Sequence, residues 1–169
     1  VVGHADHEAD DVIASYASQA TMAVDVVTGD RDLFQLVDDD RAVRVIYTGR
    51  GMSKLEVLDG AAVVTKYGVL PVQYADFAVM RGDASDGLPG VAGVGEKTAA
   101  GLLREFGDLD RIVAATADPG TALSAGVRAK LRAAADYLAV APAVVEVVRD
   151  LPLPEVDAAI RPLDADQVD

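Results

Sequence analysis

Seven carboxylates in three short clusters are the residues of this sequence best suited to do chemistry. Glu8, Asp10 and Asp11 open a helical segment, HEADDVIASYASQA. Asp30 and Asp32 sit in TGDRDLF, just after a β-branched run, and Asp83 and Asp86 in RGDASDGLPG, a glycine-rich turn. Each cluster has an ordinary explanation by itself. Acids in a first helical turn complement the helix dipole, an aspartate between strand and helix is a common cap, and GDASDG could be a turn of self-bonding aspartates. Glu8 and Asp11, three residues apart, are expected to share a helix face, with Asp10 directed elsewhere. Converging carboxylates without matching bases repel one another unless divalent cations lie between them. Oxygen-only ligands select hard ions such as Mg²⁺ or Mn²⁺. Two such ions about 4 Å apart can clamp a phosphodiester and activate a water for in-line attack.

A second motif suits the same substrate. Residues 88–100, LPGVAGVGEKTAA, carry the signature of a helix-hairpin-helix, with two short helices expected around the G-V-G turn. Gly93 and Gly95 permit backbone conformations that a Cβ would disfavour. The N–H groups that open the next helix, with Thr98 among its first residues, can hold a phosphate oxygen. Lys97 adds positive charge one turn in. Such contacts ignore base identity. The plainer reading is a turn between helices.

The elements that must position these groups follow from periodicity. Val1 and Val2 read as the end of a strand, Met22–Thr28 and Ala42–Thr48 as buried strands, and Asp32–Val37 as a short helix. Strands alternating with helices predict a parallel sheet. Beyond Asp59 the pattern turns helical, over about 60–67, 71–81, 97–106, 108–115 and 126–148, the last broken at Pro142. The fold class is therefore α/β, a parallel-sheet core over 1–58 followed by a helical half over 59–150, with the hairpin at 88–106. A weakly ordered acidic tail over 151–169 completes the expectation.

The whole chain sets bounds. Its 169 residues are 51% hydrophobic with a mean hydropathy of +0.21, which predicts a folded body. No cysteine is present, so neither disulfides nor thiolate metal sites can hold it. No apolar run is long enough for a bilayer, no signal peptide is expected, and the chain reads as cytosolic. The net charge of −13 has the wrong sign for a nucleic-acid binder, but its distribution matters more. Residues 1–40 hold ten acids and one base, whereas 97–132 hold six bases and four acids. An acidic pole beside a mildly basic stretch suits a metal site next to a phosphate-binding surface.

HEADD, TGDRDLFQLV and YGVLPVQYADFAVMRGDASDGLPGVAGVGEKTAAGLL, in this order, resemble the bacterial 5′-nuclease family. Its members are the flap endonucleases and the 5′→3′ exonuclease domain of DNA polymerase I. The resemblance implies a PIN-like nuclease core followed by a helix-three-turn-helix subdomain that grips duplex DNA. It implies a metal cluster of Glu8, Asp10, Asp11, Asp30, Asp32, Asp83 and Asp86, with Asp11, Asp30 and Asp32 central to catalysis. It also implies a monovalent cation such as K⁺ on the hairpin, held by backbone carbonyls around Val91 and Val94. The family's usual SDN is Ser85-Asp86-Gly87 here. The family's N-terminal part, which supplies further aspartates and a basic helical arch, has no counterpart in these motifs.

The expected activity is hydrolysis of phosphodiester bonds at 5′ ends or 5′ flaps of branched DNA, by a monomer near the nucleoid. His4 and His7 flank the acidic helix and receive no ligand role. The alternatives are a DNA-binding piece without turnover and a ribonuclease of the small acidic-site class. The hairpin argues against the ribonuclease.

Overall fold

The computed structural model describes residues 1–161. Its first half is built on a small sheet. β1 (Val24–Thr28) and β2 (Val43–Tyr47) pair in parallel, with Val26 beside Val45. β3 (Glu56–Leu58) then joins β2 antiparallel, with Val45 beside Leu58. The sheet is thus mixed, not wholly parallel. The eight residues 48–55 that join β2 to β3 are too few for the crossover a parallel pair would need. Val1 and Val2 belong to no strand.

α1 (Ala9–Gln19) buries Val12, Ala14, Ser15 and Ala17, with Ile13 and Tyr16 half-buried beside them. A 3₁₀ turn, Asp32–Leu36, follows β1 and drives Leu33 and Phe34 fully into the core. Phe34 meets Tyr47 at 5.2 Å and Tyr74 at 5.3 Å between ring centroids, both edge-on. Edge-to-face rings hold their partners at defined angles. The turn that carries Asp32 is therefore pinned by aromatic packing two residues away.

The second half is helical: α2 (Gly60–Tyr67), α3 (Tyr74–Arg81), α4 (Glu96–Phe106), α5 (Leu109–Ala115), α6 (Ala125–Ala133), α7 (Ala135–Leu138) and α8 (Pro142–Val145). Asp59 caps α2 through Ala62 N–H at 2.8 Å, and Asp108 caps α5 through Arg111 N–H at 2.8 Å. α3 is the buried spine, with Tyr74, Phe77, Ala78, Val79 and Met80 all at 0% exposure. Residues 71–73 form a 3₁₀ turn ahead of α3.

The long helix expected over 126–148 is instead three short ones. Its break falls at Ala134, while Pro142 begins α8, where a proline's missing N–H costs nothing. Residues 150–161 form no helix or strand, yet Leu151 is buried and the Tyr16 hydroxyl donates to the Pro154 carbonyl at 2.8 Å. Residues 151–154 are therefore anchored, 155–161 lie exposed, and the rest of the expected acidic tail lies outside the described residues.

Candidate active site

Two segments distant in sequence bring their acids to one cleft, Asp30 after β1 and Asp83 with Asp86 after α3, while the acids that open α1 do not line it. Asp30 ends the turn after β1, and its carboxylate accepts the Asp32 N–H at 2.9 Å. Asp83 lies after α3, where its main chain exchanges two hydrogen bonds with Leu88, at 3.0 and 2.8 Å. Those bonds close residues 83–88 into a loop that presents Asp83 and Asp86. Beneath it Gly82 and Gly90 run back to back, both with positive φ. A Cβ on Gly82 would stand 2.8 Å from the Gly90 nitrogen, and one on Gly90 2.5 Å from the Arg81 carbonyl oxygen. Only glycine lets the two strands of this loop touch. A cleft of about 400 Å³ between the segments is lined by Gly29, Asp30, Arg31, Tyr47, Asp83, Ser85 and Asp86.

Burial leads the shifts of the raised acids, and their neighbours' charges add to it. Burial pushes the Asp32 carboxyl up to about 7, helped by the charges of Asp30, Asp86 and Asp83. Burial also raises Asp10, with contributions from Asp30, Glu8, Asp11 and Asp86. Asp86 rises through loss of solvent and the charges of Asp83, Asp30 and Glu8. Asp83 is held below its ordinary value instead, first by the Ser85 hydroxyl and then by the Ser85 N–H and Arg81.

The Asp10 carboxyl is close enough to feel the charges of Asp30 and Asp86 as well as those of Glu8 and Asp11. Asp11 points away. One of its oxygens accepts the Val148 N–H at 2.8 Å and the other the Glu8 N–H at 3.3 Å.

Among the described residues, no three carboxylate or imidazole groups stand close enough to grip one ion as a ready-made cage. The donor set still suits a hard divalent cation. Mg²⁺ keeps several of its waters and takes only one or two carboxylates, and Asp10, Asp32 and Asp86 each carry a burial cost that a cation would offset.

Two arginines escaped the sequence reading. Arg31 lines the cleft and donates through Nε to the Tyr47 hydroxyl at 3.3 Å. Arg81 reaches Asp83 at 3.1 Å and Glu96 at 3.8 Å while lying over the Phe77 ring at 5.3 Å. It joins the acidic loop to the first turn of α4. An arginine beside RGD was visible in the sequence, but its second partner was not.

The hairpin differs from expectation in its details. No helix directly precedes the G-V-G turn, since α3 ends at Arg81 and residues 82–95 connect it to α4. Gly93 has φ +75 and lies under Lys130, whose ammonium donates to the Gly93 carbonyl at 2.8 Å. Gly95 has φ −96, and a Cβ there would meet open space, so it caps α4 without needing to be glycine for φ. Lys97 is exposed at the second position of α4, earlier than expected. Among the described residues the N–H groups of Glu96 and Lys97 have no acceptor, whereas that of Thr98 donates to the Gly95 carbonyl at 3.0 Å. The Val91 carbonyl accepts the Val94 N–H at 2.8 Å, so one of its lone pairs is occupied. Arg128, counted in the basic stretch, is folded onto the carbonyls of Ala115 and Thr116 at 2.7 and 2.8 Å.

Residues 1–68 match the family described as 5′-3′ exonuclease, N-terminal resolvase-like domain, and 69–167 the one described as 5′-3′ exonuclease, C-terminal SAM fold. The chain belongs to the 5′-3′ exonuclease family. It is 57% identical over 159 residues to the 5′-3′ exonuclease of Streptomyces coelicolor, covering 94% of this chain and 53% of that protein. With the 5′-3′ exonuclease of Mycobacterium tuberculosis it shares 48% over 160 residues, or 90% of this chain and 50% of the relative. This family member therefore spans about half the length of those exonucleases. DNA polymerase I of Mycobacterium bovis is 43% identical over 177 residues, 99% of this chain but 18% of the polymerase.

Among solved structures, a bacteriophage T5 protein co-crystallized with metal ions superposes with a TM-score of 0.70 at 20% identity, over 87% of this chain and 52% of that one. The T5 flap endonuclease in a pseudo-enzyme-product complex with DNA and metal ions gives 0.68 at 20% identity, over 84% and 50%. The fold of this exonuclease-family chain is theirs. No helix among its described residues is long and apolar enough to cross a membrane.

Proposed function

We propose that this chain carries the metal-dependent nuclease cleft and the DNA-gripping hairpin of a 5′→3′ exonuclease or flap endonuclease. The observation that carries the reading is the cleft itself, where Asp30 from the turn after β1 meets Asp83 and Asp86 from the loop after α3, some fifty residues on, with Arg31 beside them. The family relatives named 5′-3′ exonuclease and the T5 complex with DNA and metal ions support it.

In this reading Asp10, Asp30, Asp32, Asp83 and Asp86, with Glu8 at the rim, would hold Mg²⁺ or Mn²⁺. When bound, such ions supply a nucleophilic water and neutralise charge on the phosphodiester. Asp11 supports the site from behind through its backbone bonds. Arg31, facing the same cleft, offers a cation to a phosphate oxygen. The free N–H groups of Glu96 and Lys97 and the Lys97 ammonium hold the duplex backbone about one element away, without reading bases. The carbonyls near Val91 and Val94 are the hairpin's position for a monovalent cation such as K⁺. The protein acts as a monomer on 5′ ends or flaps of cytoplasmic DNA in replication and repair.

The test is a full-length protein carrying Asp30→Asn or Asp83→Asn, assayed on one labelled flap substrate. Cleavage should be lost while gel-shift affinity in EDTA stays within about two-fold. A variant that cuts at the wild-type rate removes its residue from the site.

A further inference from the structure

The chain beyond α8 makes contacts that bear on the cleft. Residues 145–151 form no strand, yet side chains of two other elements satisfy their backbone groups. Gln35 is the centre. Its Nε2 donates to the carbonyls of Asp32 and Val145, both at 2.8 Å, and its Oε1 accepts the Val147 N–H at 3.3 Å. Arg149 returns a bond to the Gln35 carbonyl at 2.9 Å.

On the other side the same segment is bound to α1. The Ser15 hydroxyl donates to the Val148 carbonyl at 3.1 Å and accepts the Leu151 N–H at 3.2 Å. Asp11 takes the Val148 N–H at 2.8 Å. Ser15 at 0% exposure and Gln35 at 5% are the buried polar residues among those described.

One strap therefore ties together the element bearing Glu8 and Asp10 and the element bearing Asp30 and Asp32. Both elements carry carboxylates, and the bonds from Ser15, Asp11 and Gln35 to one segment fix how the two stand relative to each other. A buried amide with three good bonds has a single rotamer and fixes both of its neighbours. We propose that Gln35 and Ser15 are positioning residues of the cleft. Through the 145–151 strap they hold the α1 acids in register with the Asp30–Asp32 turn. The inference rests on the divalent-ion reading of that cleft.

The experiment uses this chain with Mn²⁺ alone, followed by the electron paramagnetic resonance signal of free Mn²⁺. Gln35→Met keeps the volume and loses all three side-chain bonds, and Ser15→Ala loosens the α1 side. With the fold checked by circular dichroism, Mn²⁺ affinity should drop ten-fold or more for Gln35→Met and about three-fold for Ser15→Ala. Fluorescence anisotropy on duplex DNA in EDTA should change less than two-fold, because the hairpin is untouched.

Tyr137→Phe removes a bond from the Tyr137 hydroxyl to the Val79 carbonyl, at 2.8 Å in the helical half. It should lower the melting temperature and leave Mn²⁺ affinity unchanged. If Gln35→Met does not fold, Ser15→Ala decides alone. Variants that bind Mn²⁺ like the wild type overturn the inference and leave the metal reading standing. An equal loss in Tyr137→Phe also overturns it. A wild-type chain with no Mn²⁺ affinity overturns both.

Discussion

Asp32→Asn gives a direct measure of the strain in the cleft. The carboxyl rises from its ordinary 3.8 to about 7, with burial as the leading cause and neighbouring aspartates next. A carboxyl whose folded value lies above its unfolded one binds more protons when folded. Stability is then greatest below pH 4 and declines as pH climbs through 7. A rise of about three pH units at about 1.4 kcal/mol each sets a ceiling near 4 kcal/mol. Solvent reaching the half-buried group reduces this to roughly 2 kcal/mol. In a chain of this size about 1 kcal/mol moves the melting temperature by about 2–4 °C.

Melts in EDTA should therefore show Asp32→Asn about 4–8 °C above wild type at pH 8 and level with it near pH 4. Raising salt should trim the difference by less than half, since desolvation outweighs the screened charges. Millimolar Mn²⁺ should reverse the order, because the wild type gains a ligand's worth of binding. An equal gain at pH 4 and pH 8 would show that charge is not the cause. A loss at pH 8 would show that the carboxylate makes favourable bonds, and the strain reading would fail.

The remaining expectations are shorter. Millimolar Mn²⁺ should raise the wild-type melting temperature over EDTA by an amount that grows with concentration, up to about 2.7 kcal/mol at a hundred-fold excess over Kd; a flat response would dissolve the metal reading. Gly90→Ala should cost roughly 1–3 kcal/mol in backbone strain and more through its 2.5 Å clash with Arg81, read by urea unfolding. A neutral effect would mean the loop has slack. Lys97→Ala should weaken duplex binding regardless of sequence and reduce the slope of log K against log salt by about 1 in anisotropy titrations; an unchanged slope would place Lys97 off the DNA. The Tyr74 hydroxyl is fully buried and without a hydrogen-bond partner among the described residues. Tyr74→Phe should therefore be neutral or stabilise by up to about 1 kcal/mol, and a larger loss in thermal melts would reveal a missed partner.

Sequence by itself determined much of this protein. The β-branched runs within 22–28 and 42–48 were legible as strands, and they form β1 and β2, although β1 leaves Val27 exposed. The acids at element ends were legible because each is a local feature, fixed by residue type and short spacing, whereas the helix expected before the G-V-G turn is absent. What tertiary structure decided depends on contacts between residues far apart in the chain. Which charges reach Asp10 follows from how α1 docks, and spacing alone does not set it. The reversal at β3 follows from pairing with β2 across the eight residues 48–55, three of which form a 3₁₀ turn. Gln35 shows the limit most sharply: it read as one polar residue in a short helix, and its partner at Val145 lies 110 residues away. Hydrogen bonds over such a separation leave no periodicity, because only the folded backbone brings donor and acceptor together.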